Sequence, residues 1–407
     1  MINVLKMRKN RIYLYGVMAY MILSVCIYWD HFLDIMNTTV YAFSYQYGFM
    51  PRGVLGTFLY LFDRAVPYDA VSYNTIYLIS EVATAIYFIT ILVFIIVVLS
   101  RVSDNHDTSA KAIMAVLVLL SVPMFLTEDN FGRLDVYLMI ITLFCLILII
   151  LEKAEFLIIP AVIFATLIHE GFVFMNINII LVMLLYKCIT KPEKSDKIKY
   201  AIILALTFIL PSIVFLYCEF LKAPFGQDVF DQCLAVATKV SHNSDPHEEV
   251  LLHEILGFDV KDMELKNHIW NFEDTPIFLA LFSPYIVFMV MVFRRYAKTA
   301  KTGVDKFISL IVLAGVLTLV PEIILKVDYG RYAYAILFYY LAIFTVLLAL
   351  KDNRVELTVA HYKEVVLKHK VLSIIALLGL FVFIPFKGYR ICDIVTWISE
   401  MIYGRIG

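Results

Sequence analysis

Apolar stretches long enough to cross a bilayer recur from one end of this chain to the other, and they decide what it can fold into. Residues 77–99 read YLISEVATAIYFITILVFIIVVL, with Glu81 the one charged group among them. In lipid there is no water to serve a bare N–H or C=O, so such a run must bond its own backbone as a helix. The chain is 62% hydrophobic and 17% charged, with a mean hydropathy of +0.84. Soluble domains carry nearer a quarter charged residues. The membrane is therefore the expected solvent for most of the chain, and a multi-pass cell-membrane location follows. The formal net charge of −1 says little, because the charges are segregated along the chain. It gives no reason to expect a nucleic acid partner.

The expected fold is an all-α polytopic membrane protein, a single transmembrane domain over residues 1–407. Spans are expected near 12–29, 74–100, 112–126, 135–152, 155–169, 171–186, 200–218, 276–293, 306–325, 332–350 and 371–386, about 11 in all. Lys6, Arg8, Lys9 and Arg11 precede a first apolar run that is long for a signal peptide and has no small-residue cleavage site after it. It reads as a first span with its N-terminus inside. On that map 22 of the 34 Lys and Arg residues fall in inner segments, which are also the shorter ones. The positive-inside rule then sets the orientation.

Two outer segments stand out, 30–73 and 219–275. The first contains an amphipathic piece, Val54–Phe62, too short to span and suited to the interface. The second is acidic and broken by turn residues, and Asp245-Pro246-His247-Glu248-Glu249 reads as a helix start. A tail over 387–407 places Ile391, Ile394, Trp397, Ile398 and Met401 near helical spacing, so it too fits the membrane surface. The six cysteines show no metal-ligand pattern. Cys218 and Cys233 could bridge on the outer side, and Cys26 and Cys145 read as apolar filling.

Ionisable groups inside a bilayer are costly and tend to be functional. On this map Glu81, Asp135 and Glu322 sit near outer ends of spans, and no acid or base falls at the midplane. That favours a polar cavity at the outer face over a conduction path. Arginine sits beside glycine at the same level in Pro51-Arg52-Gly53, Asp129-Asn130-Phe131-Gly132-Arg133 and Asp328-Tyr329-Gly330-Arg331. Glycine lets the backbone come close, and the guanidinium fork matches phosphate oxygens. The plainer reading is a salt bridge within each turn, with Asp129 and Asp328 as the partners. His169-Glu170-Gly171 offers an imidazole in the right range for a general base, oriented by a carboxylate. Its plainer reading is a helix-end turn. Asn176 and Asn178 follow one to two turns below.

Asp30 and Asp34 lie just past the first span and share a face if that helix continues, so either suits deprotonation of an acceptor hydroxyl. The segment YAFSYQYGFMPRG, residues 41–53, is an aromatic belt that ends in Arg52. Its rings suit a sugar face as well as a headgroup layer. His247, Glu248, His253 and Glu254 invite a metal reading, but their spacing fits neither an i,i+4 pair nor HExxH. No cofactor is expected, and a divalent cation has no support in the spacing.

In its inside N-terminus, its ten or more spans and its long polar outer loop between late helices, the chain resembles bacterial surface-polysaccharide polymerases. The acid after helix one also resembles the broader GT-C class of membrane glycosyltransferases. The resemblance implies polyprenyl-linked sugars as substrates at the outer face. It implies a base or metal-binding acid at Asp30 or Asp34, and arginines at Arg52, Arg133 and Arg331 holding lipid pyrophosphate. His169-Glu170 at a helix end fits the same group. The long loop departs from it, carrying Lys222, Lys239, Lys261 and Lys266 but no Arg, and the first loop lacks a tight acidic pair.

The function expected is therefore a glycosyltransferase of surface-polysaccharide assembly, polymerase-like. His169, Glu170, Asp34 and Asp30 are its candidate catalytic groups. Arg52, Arg133, Arg331, Asp129, Asp328 and Asn176 are its candidate binding groups. Its partners would be the lipid-linked sugar, membrane lipids and other polysaccharide-assembly proteins. Two other classes fit the same arginines: a flippase or exporter of lipid-linked sugars, and a non-catalytic component of an assembly complex.

Overall fold

A computed structural model describes residues 7–28, 32–66, 71–127, 130–221, 224–241, 246, 251–256, 261–321, 329–380 and 391–402. The described residues are helical, with no strand among them. In chain order the helices are α1 (Arg8–Ile27), α2 (Ile35–Thr39), α3 (Gly53–Ala65), α4 (Tyr73–Leu99), α5 (Asp107–Met124) and α6 (Asp135–Leu151). They continue as α7 (Ile158–Ile168), α8 (Phe172–Met175), α9 (Ile177–Thr190), α10 (Lys194–Leu216), α11 (Gln227–Val240) and α12 (Lys261–Lys298). The last are α13 (Gly303–Ala314), α14 (Tyr329–Ala349), α15 (Asn353–Lys368), α16 (Lys370–Leu380) and α17 (Ile391–Ile402).

Local chemistry sets many of the ends. Ser72 accepts the Thr75 N–H at 3.3 Å to start α4, and Asp352 accepts from Arg354 and Val355 to start α15. Thr302 and Asp305 form a reciprocal capping box on α13. Pro123 inside α5 cannot bond the Leu119 carbonyl one turn back, and the Tyr20 hydroxyl of α1 donates to that carbonyl instead, at 3.2 Å. Pro284 in α12 leaves the Ala280 carbonyl in the same state, and Ser283 donates to it at 2.7 Å. The last carbonyls of α13, at Val312 and Leu313, are served by the hydroxyls of Tyr339 and Tyr340, each at 3.0 Å.

α14 is the centre of the bundle, with 89% of its apolar stretch buried against 17% for Pro276–Lys298 at the rim. It packs on α4, α5, α6 and α9, while α10 closes over α7 and α9. Successive long helices from α4 to α10 alternate in direction, so the bundle has two ends. One gathers the ends of α5, α7 and α10 with the starts of α4, α6, α9 and α14. The other gathers the opposite termini.

Among the described residues six helices are long and apolar enough to cross a membrane: Arg8–Ile27, Tyr73–Leu99, Asp104–Met124, Lys194–Leu221, Pro276–Lys298 and Arg331–Ala349. Of the other expected spans, 135–152, 155–169 and 171–186 fall on shorter apolar helices, as does the described part of 371–386, and the described part of 306–325 falls largely on α13 and the 3-10 turn at Gly315–Leu319. Large apolar side chains stand exposed around the outside, among them Ile22, Ile89, Phe208, Ile213, Val287 and Leu310. A collar of that extent is foreign to a water-soluble surface and suits lipid.

Segment 30–73 contributes α2, α3 and two 3-10 turns at Val40–Ala42 and Tyr45–Tyr47. α3 buries Val54 and Leu59 and exposes Phe58, Leu61 and Phe62, the two-faced helix expected there. It lies so close to the preceding turn that a Cβ on Gly56 would stand 1.9 Å from the Phe43 carbonyl oxygen. Segment 219–275 contributes α11, which packs on α2 and on Val40–Ala42. α17 packs on α12 and α14 with Val395 buried and Trp397 exposed.

A candidate site of paired arginines and carboxylates

α7 stops at Ile168, and His169 leaves the helix in extended conformation, with φ −158° and ψ 122°. The chain turns through Glu170 and Gly171, makes the single turn α8, breaks again at Asn176 and resumes as α9. This interruption presents two ionisable side chains at one end of the bundle. Across from it, Arg52 caps the start of α3 in the left-handed region, at φ 58° and ψ 5°. For a residue with a Cβ that conformation is strained. Strain of this kind persists where the surrounding structure holds it, and here the side chain is held by Glu170. The Arg52 Nε lies 3.1 Å and 3.2 Å from the two carboxylate oxygens, and Nη2 also donates to Oε1.

Both partners are nearly out of contact with solvent, at 11% and 9% side-chain exposure. His169 adjoins the pair, with Nδ1 3.3 Å from Glu170 Oε1 and 3.1 Å from the Gly171 backbone nitrogen. Nδ1 can serve one of these at a time. It accepts the Gly171 N–H in the tautomer protonated at Nε2, or it carries the proton and donates to Glu170. In the second case Nε2 keeps its lone pair.

A second pair completes the cluster. Arg331, near the start of α14, donates through Nη2 to Asp135 Oδ1 at 2.6 Å, at the first residue of α6. The charges that act on Asp135 include those of Arg331, His169 and Arg133, which brings the two pairs into one neighbourhood. Arg133 is carried by a turn that needs its glycine. Gly132 has φ 80°, and a Cβ there would stand 2.2 Å from the Leu33 side chain. The turn is tied down by Asn37, whose amide donates to the Phe131 carbonyl at 2.9 Å, and by Asn130, which donates to Thr127 at 2.9 Å. Behind it the Tyr41 and Tyr137 hydroxyls meet at 3.0 Å. Among the described residues, and with His169 neutral, the cluster holds the three guanidinium groups of Arg52, Arg133 and Arg331 and the two carboxylates of Asp135 and Glu170.

Thus Arg52, Arg133, Arg331, His169 and Glu170, singled out from sequence, lie at one end of the bundle. Arg331 reaches beyond its own turn to Asp135. Asp135, noted from sequence only as the opening of a span, belongs to the cluster. Nothing in its local sequence announces a pairing 196 residues away.

The other candidates fall elsewhere. Asn176 donates to the Met139 sulfur at 3.3 Å, deep in the packing, and Asn178 donates to Thr318 and to the Gly315 carbonyl, tying α9 to the turn after α13. α1 ends at Ile27, so no continuous helix carries Asp34 on a shared face with Asp30; Asp34 instead caps α2, accepting from Met36 N at 3.2 Å. Asp30, Asp129, Glu322 and Asp328 lie outside the described residues, as do His247 and Glu248. Cys218 and Cys233 are both free thiols. Among the described residues no group of His, Cys, Asp and Glu is arranged to hold a metal ion. The aromatic segment stacks Tyr45 on Phe49, ring centroids 5.3 Å apart, and Phe49 meets Tyr217 edge-on at 5.2 Å.

The chain matches no protein-family model, and no curated protein or solved structure is significantly similar to it.

Proposed function

We propose that this protein is a multi-pass membrane glycosyltransferase acting on polyprenyl-phosphate- or pyrophosphate-linked sugars at the outer face of the cell membrane, polymerase-like in surface-polysaccharide assembly. The observation that carries the reading is the cluster itself. Arg52, Asp135, His169, Glu170 and Arg331 come from separate segments and are brought together, nearly buried, at one end of an apolar helical bundle. Burying ion pairs costs stability that apolar packing would not, so a functional demand is the economical explanation.

The proposed topology has about 11 spans with the N-terminus inside, which puts the arginine cluster outside and the lysine-rich end inside. The 14 residues of α9 rise about 21 Å, short of the ~30 Å of a hydrocarbon core. The break at His169–Gly171 then lies recessed from the outer surface, in a polar cavity reachable by a headgroup whose tail stays in lipid.

In the reaction proposed, an acceptor hydroxyl gives its proton to His169 Nε2 and its oxygen bonds the anomeric carbon as the carbon–oxygen bond to the lipid phosphate breaks. Glu170, facing Nδ1–H, stabilises the imidazolium that forms, and Arg52 fixes Glu170. Arg133 and Arg331 lie where they can meet the phosphate charge that grows on the leaving group. Arg52, its fork already committed to Glu170, positions the base in this scheme and does not hold phosphate.

The test is incubation of the purified protein in lipid vesicles with a panel of polyprenyl-linked sugars, products read by mass. New glycosidic product, lost in His169→Ala and Arg133→Ala, supports the reading. Absence of product from every donor, with donor crossing the same vesicles, overturns it in favour of a flippase.

A further inference from the structure

At the end of the bundle opposite the arginine cluster a cavity of about 670 Å³ opens among the last turns of α4, α6 and α14. Its polar lining is Ser100, Arg101, Glu152, Lys187 and Lys351. The volume is within the range of small-ligand sites, and the side chains lining it carry three positive charges and one negative.

Three helices end here, and helix ends draw cations. Each C-terminus presents unpaired carbonyls and about half a negative charge. Arg101 answers part of that demand, its Nη2 3.5 Å from the Leu151 carbonyl. Lys187 is committed to Glu152, which also holds Lys191 at 2.6 Å. Capping of this kind needs no cavity, and it does not explain the backbone. Glu152 and Lys351, which follow α6 and α14, both adopt left-handed conformations, at φ 57° and 59°. These are positions where glycine ends a helix without strain. The chain keeps a charged side chain at each, and both line the cavity. Arg101 and Lys351, both exposed, also line it.

We infer that this cavity is a binding site for a phosphoryl group, held by Arg101 and Lys351 with Ser100 as a neutral donor and Lys187 and Glu152 as the fixed wall. An anionic phospholipid headgroup and a soluble phosphate share that chemistry. The site does not depend on the transferase reading, since no residue of the arginine cluster takes part in it.

The test uses the full chain in phosphatidylcholine vesicles, with and without phosphatidylglycerol, and in a parallel arm with inorganic phosphate in the buffer. The readouts are the thermal midpoint and the bound lipid retained in native mass spectrometry. Phosphatidylglycerol should raise the midpoint of the parent protein, and Arg101→Gln with Lys351→Gln should weaken its binding about thirtyfold, as loss of two cations near a phosphate would. Lys363→Gln, a cation on the exposed surface of α15, should leave the response unchanged. Lys351→Gly guards against misfolding, because glycine relieves the strain at φ 59°. It should be at least as stable as the parent in phosphatidylcholine and still lose the phosphatidylglycerol response. Stabilisation by inorganic phosphate with the same residue dependence would assign the soluble source. An unaltered phosphatidylglycerol response in both Lys351→Gly and the double variant, or an equal loss in Lys363→Gln, overturns the inference.

Discussion

The two ends of the bundle rely on different cations. At the cluster end the ion pairs are arginine with carboxylate, Arg52–Glu170 and Arg331–Asp135, and no side chain in them exceeds 18% exposure. They join residues 118 and 196 positions apart. At the other end the pairs are mostly lysine: Lys9 and Lys111 on Asp107, Lys187 and Lys191 on Glu152, and Lys199 on Glu155. Lys9 is 51% exposed and Lys199 44%. Lys111 and Lys187, at 14% and 5% exposure, are buried too, as is Arg354, which pairs with Asp352 and lies 4.6 Å over the Tyr296 ring.

Lysine is a strongly hydrated point charge on a flexible stem, suited to lying along apolar surface with its head in water. Arginine keeps its charge when desolvated and fixes a carboxylate in one plane. The contrast teaches that one end is built for contact with an aqueous interface and the other for holding polar groups in fixed geometry.

That contrast can be broken by substitution. If the cluster end is catalytic, His169→Ala should lower glycosyl transfer by about 10²–10⁴-fold with the fold intact, read by product mass alongside a thermal scan. Glu170→Ala leaves Arg52 charged, nearly buried and unpaired, and should cost about 3–5 kcal/mol of stability. Lys199→Ala at the other end should cost less than about 1 kcal/mol. Equal losses in chemical denaturation would erase the distinction between the ends. Gly132→Ala should cost about 1–3 kcal/mol, since a Cβ is disfavoured at its φ and meets Leu33. It should also displace Arg133, so activity should fall further than stability.

The smallest effect is one of pH at the lysine-rich end. Asp305 resists the upward push of partial burial, and hydrogen bonds from Thr302 together with the charge of Arg354 hold its carboxyl below its ordinary value of 3.8. A depressed carboxylate stabilises the fold above its ordinary value, and that contribution fades as pH falls through the folded value. Asp305→Asn should therefore narrow the difference in thermal midpoint between neutral and strongly acidic pH, by under about 1 kcal/mol. A midpoint equally acid-sensitive in both proteins would remove Asp305 from the account.

Much of this molecule was legible because lipid leaves the backbone few choices. Apolar runs had to be helices, and 77–99, 112–126, 135–152 and 332–350 lie on helices that end close to where charge and capping residues placed them. The two-faced segment after Gly53 was readable from its period. The special residues were readable as types: arginine beside glycine, and a histidine and glutamate where a helix breaks. Glu152 and Lys351 were not, because a left-handed helix end occupied by a charged side chain carries no pattern that differs from an ordinary loop.

The sequence by itself determined the helical class, the apolar solvent and the residues worth watching, because each follows from local composition and period. Only the tertiary structure decided which charge meets which. It carried Arg52 across to Glu170 and Arg331 to Asp135, and it made Asp34 a helix cap. Pairing across more than a hundred residues depends on how helices pack. Packing is settled by the shapes of many side chains together, which no single stretch of sequence contains.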